Sequence, residues 1–210
     1  MLTTDGRVQA ARRRREGSRR RILEAAEILF ARDGYGPTSV EAIAALAGVG
    51  PATVYNCFGA KGGVAAHLFR EEAEILAVQA HGDLEKGPAA AEAIHRHWER
   101  VWGMLEARRP LVGALLTAVH ETSLADKPPS PERDPRRVLP LPRPFAEIIR
   151  YGQTKGEFRL GLDSGLAAVA IINVLSIAFI NRRSPTDQEQ FLDFFLRGLE
   201  NGRAGENSAQ

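Results

Sequence analysis

The sequence predicts an all-α protein, with a three-helix domain at the amino terminus and a larger helical domain after it. Apolar residues recur every three or four positions through most of the chain, which is the period of one helix face, and strand-like alternation is nearly absent. The composition, 44% hydrophobic and 26% charged over 210 residues, is typical of a globular chain with a buried core.

The amino-terminal helices have the spacing of a helix-turn-helix. The first helix ends at Asp33-Gly34, since glycine commonly follows a helix end. Thr38 or Ser39 can cap a short second helix, and Pro51 suits the first position of a third. A four-residue turn containing glycine separates the second and third helices. Such a third helix is sized to enter the major groove of DNA. The apolar face of the first helix comprises Ile22, Ala25, Ala26, Leu29 and Phe30.

Positive charge is concentrated at the amino terminus. Residues 1–21 hold eight arginines against two acidic residues, a net charge of +6, which leaves −4 for the rest because the whole chain carries +2. We predict a flexible basic arm over residues 1–17. Such an arm suits a polyanion, either nucleic acid or an anionic membrane surface, and the alternative is a solvated tail.

The remaining chain is predicted to be helical with one long interruption. A long helix is expected from Lys61 to about Ala80, and the apolar stretch 166–180 is too short to span a bilayer and is expected to be a buried helix. Seven prolines in residues 123–144 predict an exposed loop. The amino terminus has no apolar segment of a secretory signal, and the single Cys57 excludes an internal disulfide. We therefore expect a cytoplasmic protein without a membrane partner.

The sequence offers no catalytic or metal site. His95 and His97 are two residues apart, so they face different sides of a helix and cannot form the four-residue pair that binds zinc. The chain has no phosphate loop, nucleophile elbow or recognisable triad motif. We predict that the protein is not an enzyme and needs no cofactor.

Two motifs carry a family resemblance. The first helix reads Ile-Leu-x-Ala-Ala-x-x-Leu-Phe over residues 22–30, and the third helix and its end read Thr-Val-Tyr-x-x-Phe-x-x-Lys over residues 53–61. With this spacing, residues 21–61 closely resemble the DNA-binding domain of TetR-family transcriptional regulators. The segment 156–159, Gly-Glu-Phe-Arg, also looks like the family's entry into its dimerisation helices.

The resemblance implies a ligand-responsive repressor that binds a pseudo-palindromic operator as a homodimer. The residues expected to contact DNA phosphates are Thr38, Thr53, Tyr55 and Lys61. The residues expected to contact base edges are Pro51, Ala52 and Asn56. If Thr38 does not contact DNA, it is a plain N-cap. If Tyr55 does not contact DNA, it is a core aromatic with its hydroxyl at the surface.

The sequence departs from the family pattern at three places. Cys57 stands where the family usually has tyrosine or histidine, and Gly50 replaces the commoner serine, threonine or acidic residue at the helix start. The pair Gly62-Gly63 weakens the start of the fourth helix. These departures predict weaker DNA binding on an intact frame.

We assign residues 18–66 to the DNA-binding domain, 67–201 to a helical regulatory and dimerisation domain, and 202–210 to a frayed tail.

The alternative function is a helical small-molecule-binding dimer that has lost DNA binding, and a membrane-surface protein comes third. An apolar or aromatic effector is expected to bind in a pocket lined by Trp98, Trp102, Phe145, Ile149 and Ile172. The same five residues could equally be ordinary core residues with no ligand site. The predicted dimer interface comprises Ile171, Leu175, Ile177, Phe179, Phe191, Phe194, Phe195 and Leu199.

Overall fold

The computed structural model describes residues 4–125, 130–131 and 134–200. Within these ranges the chain forms helices only, apart from one isolated bridge pair between Phe158 and Glu200. The all-α prediction is confirmed. The helices are α1 (Thr4–Asp33), α2 (Val40–Ala47), α3 (Pro51–Phe58), α4 (Lys61–His67), α5 (Arg70–Leu84), α6 (Ala90–Ala107), α7 (Arg109–Leu124), α8 (Pro135–Val138), α9 (Pro142–Thr154), α10 (Ser164–Ile180) and α11 (Pro185–Leu199).

Contacts between helices divide the chain into two compact units. The first contains α1 to α4 together with α7 and α8, and the second contains α6, α9, α10, α11 and α5 from residue 72. The predicted functional boundaries after residues 17, 66 and 201 stay predictions, and the tail 202–210 lies outside the described residues.

The basic segment at the amino terminus is helical. Helix α1 runs unbroken for 30 residues from Thr4, whereas the sequence analysis predicted a flexible arm over residues 1–17. Arginine, alanine and glutamine have high helix propensity, and the exposed pair Arg12–Glu16, 2.9 Å apart, spans one helical turn. The charge run therefore belongs to the same helix that supplies the helix-turn-helix core.

Five apolar side chains hold the helix-turn-helix together. The second helix begins after Ser39, whose hydroxyl accepts the Ala42 N–H at 3.0 Å, and it ends at Gly48 with a positive φ of 64°. Glycine adopts that backbone conformation without strain. None of the five core side chains is more than 2% exposed, and they are Ile22, Phe30, Ile43, Val54 and Phe58.

Two predictions about the segments that follow were wrong. The long helix expected from Lys61 to Ala80 is divided, because α4 ends at His67 and α5 begins at Arg70. The exposed loop expected over residues 123–144 contains α8, which starts after the buried Asp134 and packs on α4. Proline is favourable at the first position of a helix, so a proline-rich segment can still form one. Residues 126–129 and 132–133 lie outside the described part of the chain.

Gly63 permits the close approach of α4 to the end of α3. A Cβ atom at this position would overlap the carbonyl oxygen of Phe58, which is fixed backbone. At Gly62 an added Cβ would lie 3.4 Å from the Ala118 Cβ, an ordinary contact with α7. The glycine pair that the sequence suggested as a weak helix start therefore includes one position where only glycine fits.

The second unit has its own core, formed by α6, α9 and α10. Gly152 of α9 lets the Phe158 ring pack against the helix, since an added Cβ would overlap that ring and the Ala90 side chain. The carboxylate of Glu157 accepts the Ala90 N–H at 2.6 Å, which joins the 156–159 segment to the start of α6. The largest fully buried side chains of this core are Ile94, Phe145, Phe158, Ile148, Ile149, Ile171, Leu175 and Leu192.

His97 of α6 is a buried polar side chain in this core. It is 2% exposed, and its ring lies edge-on to Phe145 at a centroid distance of 4.6 Å. Burial, and then the positive charge of Arg100, lower the pKa of His97 to about 4, although the Asp83 carboxylate acts in the opposite direction. Hydrogen bonds from Lys86 and Arg100 lower the pKa of Asp83 to about 2. His97 is therefore neutral near pH 7.

We expect Gly63→Ala to lower the free energy of unfolding by about 2 kcal/mol or more, because the added Cβ forces the α3–α4 junction apart. The matched change Gly62→Ala should alter it by less than about 1 kcal/mol, since helix propensity improves and the new contact is ordinary. Chemical denaturation of both variants measures the difference. Equal destabilisation would contradict this account of the junction.

The folded protein should lose stability as the pH falls from 6.5 towards 4. The folded pKa of His97 is below the usual 6.5, so in this window the unfolded chain binds a proton that the folded chain does not. One such group costs about 1.4 kcal/mol per pH unit. Denaturation at several pH values should show a flatter dependence for His97→Gln, and parallel curves would contradict the assignment.

Candidate nucleic-acid interface

Helix α3 presents one exposed face. Val54 and Phe58 are buried against α1 and α2, which turns the opposite side of the helix to solvent. Thr53 is half-buried, and Tyr55 is 46% exposed, so the core-aromatic alternative for Tyr55 is wrong. Four of the seven predicted DNA-contacting residues share the exposed surface, and they are Pro51, Ala52, Tyr55 and Asn56.

Thr38 does not face solvent. It is 3% exposed, and its hydroxyl donates to the Gly34 carbonyl at 2.7 Å, inside the turn between α1 and α2. The residue that caps α2 is the next one, Ser39, which is exposed. The phosphate contact of Thr38 stays a prediction, and because its hydroxyl is buried and already bonded, that contact requires the hydroxyl to leave the Gly34 carbonyl.

Lys61 is engaged within the unit. Its ammonium group lies 4.0 Å from the ring centroid of Tyr35 and donates to three carbonyls, those of Tyr35 at 2.8 Å, Thr38 at 3.0 Å and Gly36 at 3.3 Å. An ammonium group has three donors. Lys61 therefore connects α4 to the α1–α2 turn by hydrogen bonds. Its predicted phosphate contact would require one of these hydrogen bonds to break.

The α1–α2 turn, which Lys61 contacts, also forms a hydrogen bond with α7. Tyr35 is 6% exposed, and its hydroxyl is hydrogen-bonded to Glu121 of α7. Burial, and then the negative charge of Glu121, raise the pKa of Tyr35. Helix α7 thus contributes a polar contact to the packing of the helix-turn-helix.

Two arginines that the sequence analysis counted only as charge hold α1 to the helix-turn-helix. Arg19 donates to the Cys57 carbonyl at 2.6 Å, with its guanidinium carbon 4.5 Å from the centroid of the Phe58 ring. Arg21 donates to the Ala47 carbonyl at 3.1 Å. These carbonyls lie at the carboxyl ends of α3 and α2, where the helix dipole favours a cation. Spacing in the sequence does not reveal such contacts, because they join distant segments.

The predicted effector residues lie in the second unit with different exposures. Trp98, Phe145 and Ile149 are buried in its core, whereas Trp102 and Ile172 are half-buried. None of the five lines an open cleft of about 430 Å³ in the same unit, which is bordered by Ala91, Glu92, His95, Arg96, Glu99 and Leu196.

One buried polar atom in the second unit lacks a partner. The Nδ1 atom of His97 makes no hydrogen bond within the structure and lies next to the Phe145 ring. A buried polar atom without a partner costs about 1 to 3 kcal/mol. Among the residues that the structure describes, no three potential metal ligands lie together, and no helix is long and apolar enough to cross a membrane.

The family model for bacterial regulatory proteins of the TetR family matches residues 22–68. This range begins at the first core residue of α1 and ends just after α4. Residues 22–68 thus match the helix-turn-helix domain of the TetR family. This match supports a role as a DNA-binding transcriptional regulator.

Solved structures of TetR-like fold cover most of the chain. The repressor FadR from Thermus thermophilus, solved with lauroyl-CoA, is 22% identical over 91% of this chain and 98% of its own, with a TM-score of 0.67. RolR, solved with resorcinol, is 18% identical over 90% of both chains, with a TM-score of 0.63. PfmR, also from Thermus thermophilus, is 26% identical over 86% of this chain and 99% of its own, with a TM-score of 0.56. No curated protein matches the sequence.

We expect Tyr55→Phe and Asn56→Ala to affect DNA binding differently. Loss of the Tyr55 hydroxyl should remove the predicted phosphate contact, so affinity should fall by about tenfold or less and by a similar factor on every sequence. Loss of the Asn56 amide should relax preference at one base pair per half-site by about 1 to 3 kcal/mol. Mobility shifts on a panel of single-base variants of the DNA upstream of the protein's own gene measure both effects, and identical profiles would refute the division of roles.

Proposed function

We propose that the protein is a repressor that binds a pseudo-palindromic operator as a homodimer and leaves it when an apolar or aromatic small molecule binds the second unit. The observation that supports DNA recognition most directly is the exposed face of α3. Its small and polar side chains project from a helix that is buried on the other side and fixed at its carboxyl end by Arg19. A helix with one buried and one free face can enter a groove without unpacking the core.

The exposed apolar surface of α10 and α11 supports a homodimer. Contiguous exposed apolar side chains mark interaction surfaces, because water is excluded when a second copy covers them. Four residues predicted for the interface instead pack inside the second unit and are at most 4% exposed, and they are Ile171, Leu175, Phe179 and Leu199. The exposed apolar residues of these helices are Leu166, Val169, Ile177, Ile180, Phe191 and Phe194.

The symmetry of a homodimer determines the form of the operator. Two α3 helices related by a two-fold axis read two half-sites of inverted sequence, about 34 to 36 Å apart along one face of the duplex. Each half-site then receives the same face of α3. This is the physical reason for proposing a pseudo-palindrome.

The unpaired Nδ1 atom of His97 supports an effector site in the second unit. A ligand with an apolar body and one hydrogen-bonding group can satisfy this atom while it packs against Phe145 and Trp98. FadR bound to lauroyl-CoA and RolR bound to resorcinol are similar folds whose ligands combine apolar and polar parts. Binding that prefers the DNA-free conformation weakens operator affinity by the same factor by which operator weakens ligand affinity.

A mobility shift with the DNA upstream of the protein's own gene tests the DNA-binding part. A discrete complex that persists in excess unrelated DNA is the expected result. Its absence, together with a dimer that still binds small molecules, would favour the alternative of a ligand-binding dimer that has lost DNA binding. The half-buried Cys57 and the uncapped start of α3 at Gly50 are the features that make this alternative worth testing.

Changes of tryptophan emission test the effector part, since both tryptophans lie in the second unit. Apolar and aromatic compounds that change the emission should raise the midpoint of thermal unfolding, as any ligand of the folded state does. The same compounds should bind less tightly when operator is present. A compound that binds near the tryptophans with equal affinity for free and DNA-bound protein would exclude this site as the regulatory one.

Phe194→Arg should convert the protein to monomers, because it places a charge on the exposed apolar surface of α10 and α11. Phe194 is 74% exposed in the single chain, and Val78 of α5, at 73%, provides a matched control outside that surface. Sedimentation should show monomers for Phe194→Arg and dimers for Val78→Arg, with loss of operator affinity only in the first. A dimeric Phe194→Arg protein would contradict this interface.

A further inference from the structure

Helix α1 extends well beyond the core of the helix-turn-helix. Its first core residue is Ile22, and the helix continues towards the amino terminus as far as Thr4. At 1.5 Å per residue, Arg12 lies about 15 Å and Arg7 about 22 Å from Ile22 along the helix axis. The exposed arginines of this extension are Arg7, Arg12, Arg13, Arg14, Arg15, Arg20 and Arg21.

The contact of Arg19 with α3, the helix proposed to recognise DNA, shows which face of the α1 extension is turned towards α3. Arg19 donates to the carbonyl of Cys57, the residue next to Asn56 on α3. Residues three, four and seven positions apart lie on the same side of a helix, so Arg15 and Arg12 continue the face of Arg19. Arg13 and Arg20 lie about a third of a turn away, on a different face.

We propose that Arg12 and Arg15 form a rigid basic stripe that binds duplex phosphates next to those reached by α3. The inference rests on the proposed DNA-binding function and extends its footprint. Guanidinium groups bind phosphate oxygens with paired hydrogen bonds. Because the helix is already formed and held by Arg19, binding does not have to order a flexible arm. The distance of about 15 Å corresponds to about four base pairs at about 3.4 Å each.

The chemistry of the extension favours DNA over a membrane surface. A helix that lies on a membrane needs a broad apolar face opposite its cations. Between residues 4 and 21, Val8 is the single large apolar residue. The ion pair of Arg12 with Glu16 is exposed, and such pairs contribute at most about 1 kcal/mol, so a phosphate can replace the carboxylate.

Binding of a fluorescent duplex of mixed sequence, about 30 base pairs long, tests the proposal without knowledge of the operator, because phosphate contacts do not depend on sequence. Anisotropy titrations at several salt concentrations give the slope of log K against log salt. The double variant Arg12→Ala/Arg15→Ala should reduce this slope by about 1.8, since each phosphate contact contributes about 0.9. The matched variant Arg13→Ala/Arg20→Ala loses the same charge on the different face and should reduce it by less than about 0.5.

Gly17→Pro tests whether the stripe must be rigid. Proline breaks the helix between Arg15 and Arg19 and leaves every charge in place. It should lower the slope as much as Arg12→Ala/Arg15→Ala does, while the unfolding midpoint stays near that of the unchanged protein because residue 17 precedes the core. An unchanged slope in Gly17→Pro, or equal slopes in the two double variants, would overturn the proposal.

Two further outcomes separate the inference from its premise. If the unchanged protein fails to bind the duplex at any salt concentration, the proposed DNA-binding function fails and the stripe fails with it. If the protein binds the duplex, but Arg12→Ala/Arg15→Ala loses only its binding to vesicles of phosphatidylserine and phosphatidylcholine, DNA binding stands. The stripe is then a membrane contact, and the proposal is overturned.

Discussion

The hydrogen bond from Arg19 to the Cys57 carbonyl is the interaction on which the geometry of the DNA-binding unit depends. It joins α1 to the carboxyl end of α3, and Arg21 makes the corresponding contact with Ala47 at the end of α2. Both cations bind where the helix dipole is negative. The apolar core brings the three helices together, and these two contacts fix the rotation of α1 relative to α3. The exposed face of α3 and the direction of the basic extension both follow from that rotation.

The same unit shows how a helix-turn-helix can accommodate residues that are unusual for its family. Gly50 leaves the start of α3 without a side-chain cap, but Pro51 supplies a favourable first helical residue. Cys57 cannot offer the ring of a tyrosine or histidine, yet its backbone carbonyl anchors Arg19. Gly63 lets α4 begin directly against the end of α3. The departures therefore alter individual contacts and leave the recognition helix supported.

Local pattern was sufficient to predict most of the helices, because apolar periodicity reports directly which side of a helix is buried. The residues on the exposed face of α3 were expected from the family resemblance. Local pattern was insufficient where two local interpretations compete. The arginine run predicts a flexible arm from its charge alone, whereas its residues also have high helix propensity and the structure has a helix there. Thr38 and Ser39 were equal candidates for the cap, and only the packing of Thr38 into the core decides between them. Contacts between distant segments, such as those of Lys61, have no local signal.

Helix α1 orients α3 through Arg19, and the DNA affinity of Arg19→Met tests this role most directly. Methionine retains an apolar stem beside Phe58 and removes the hydrogen bond to Cys57. Arg20→Met removes the same charge from an exposed position of the same helix. A charge-assisted hydrogen bond contributes about 1.5 to 3 kcal/mol, so the Arg19 variant should bind duplex DNA at least about tenfold more weakly than the Arg20 variant while both remain folded. Equal affinities of the two folded variants would contradict the claim.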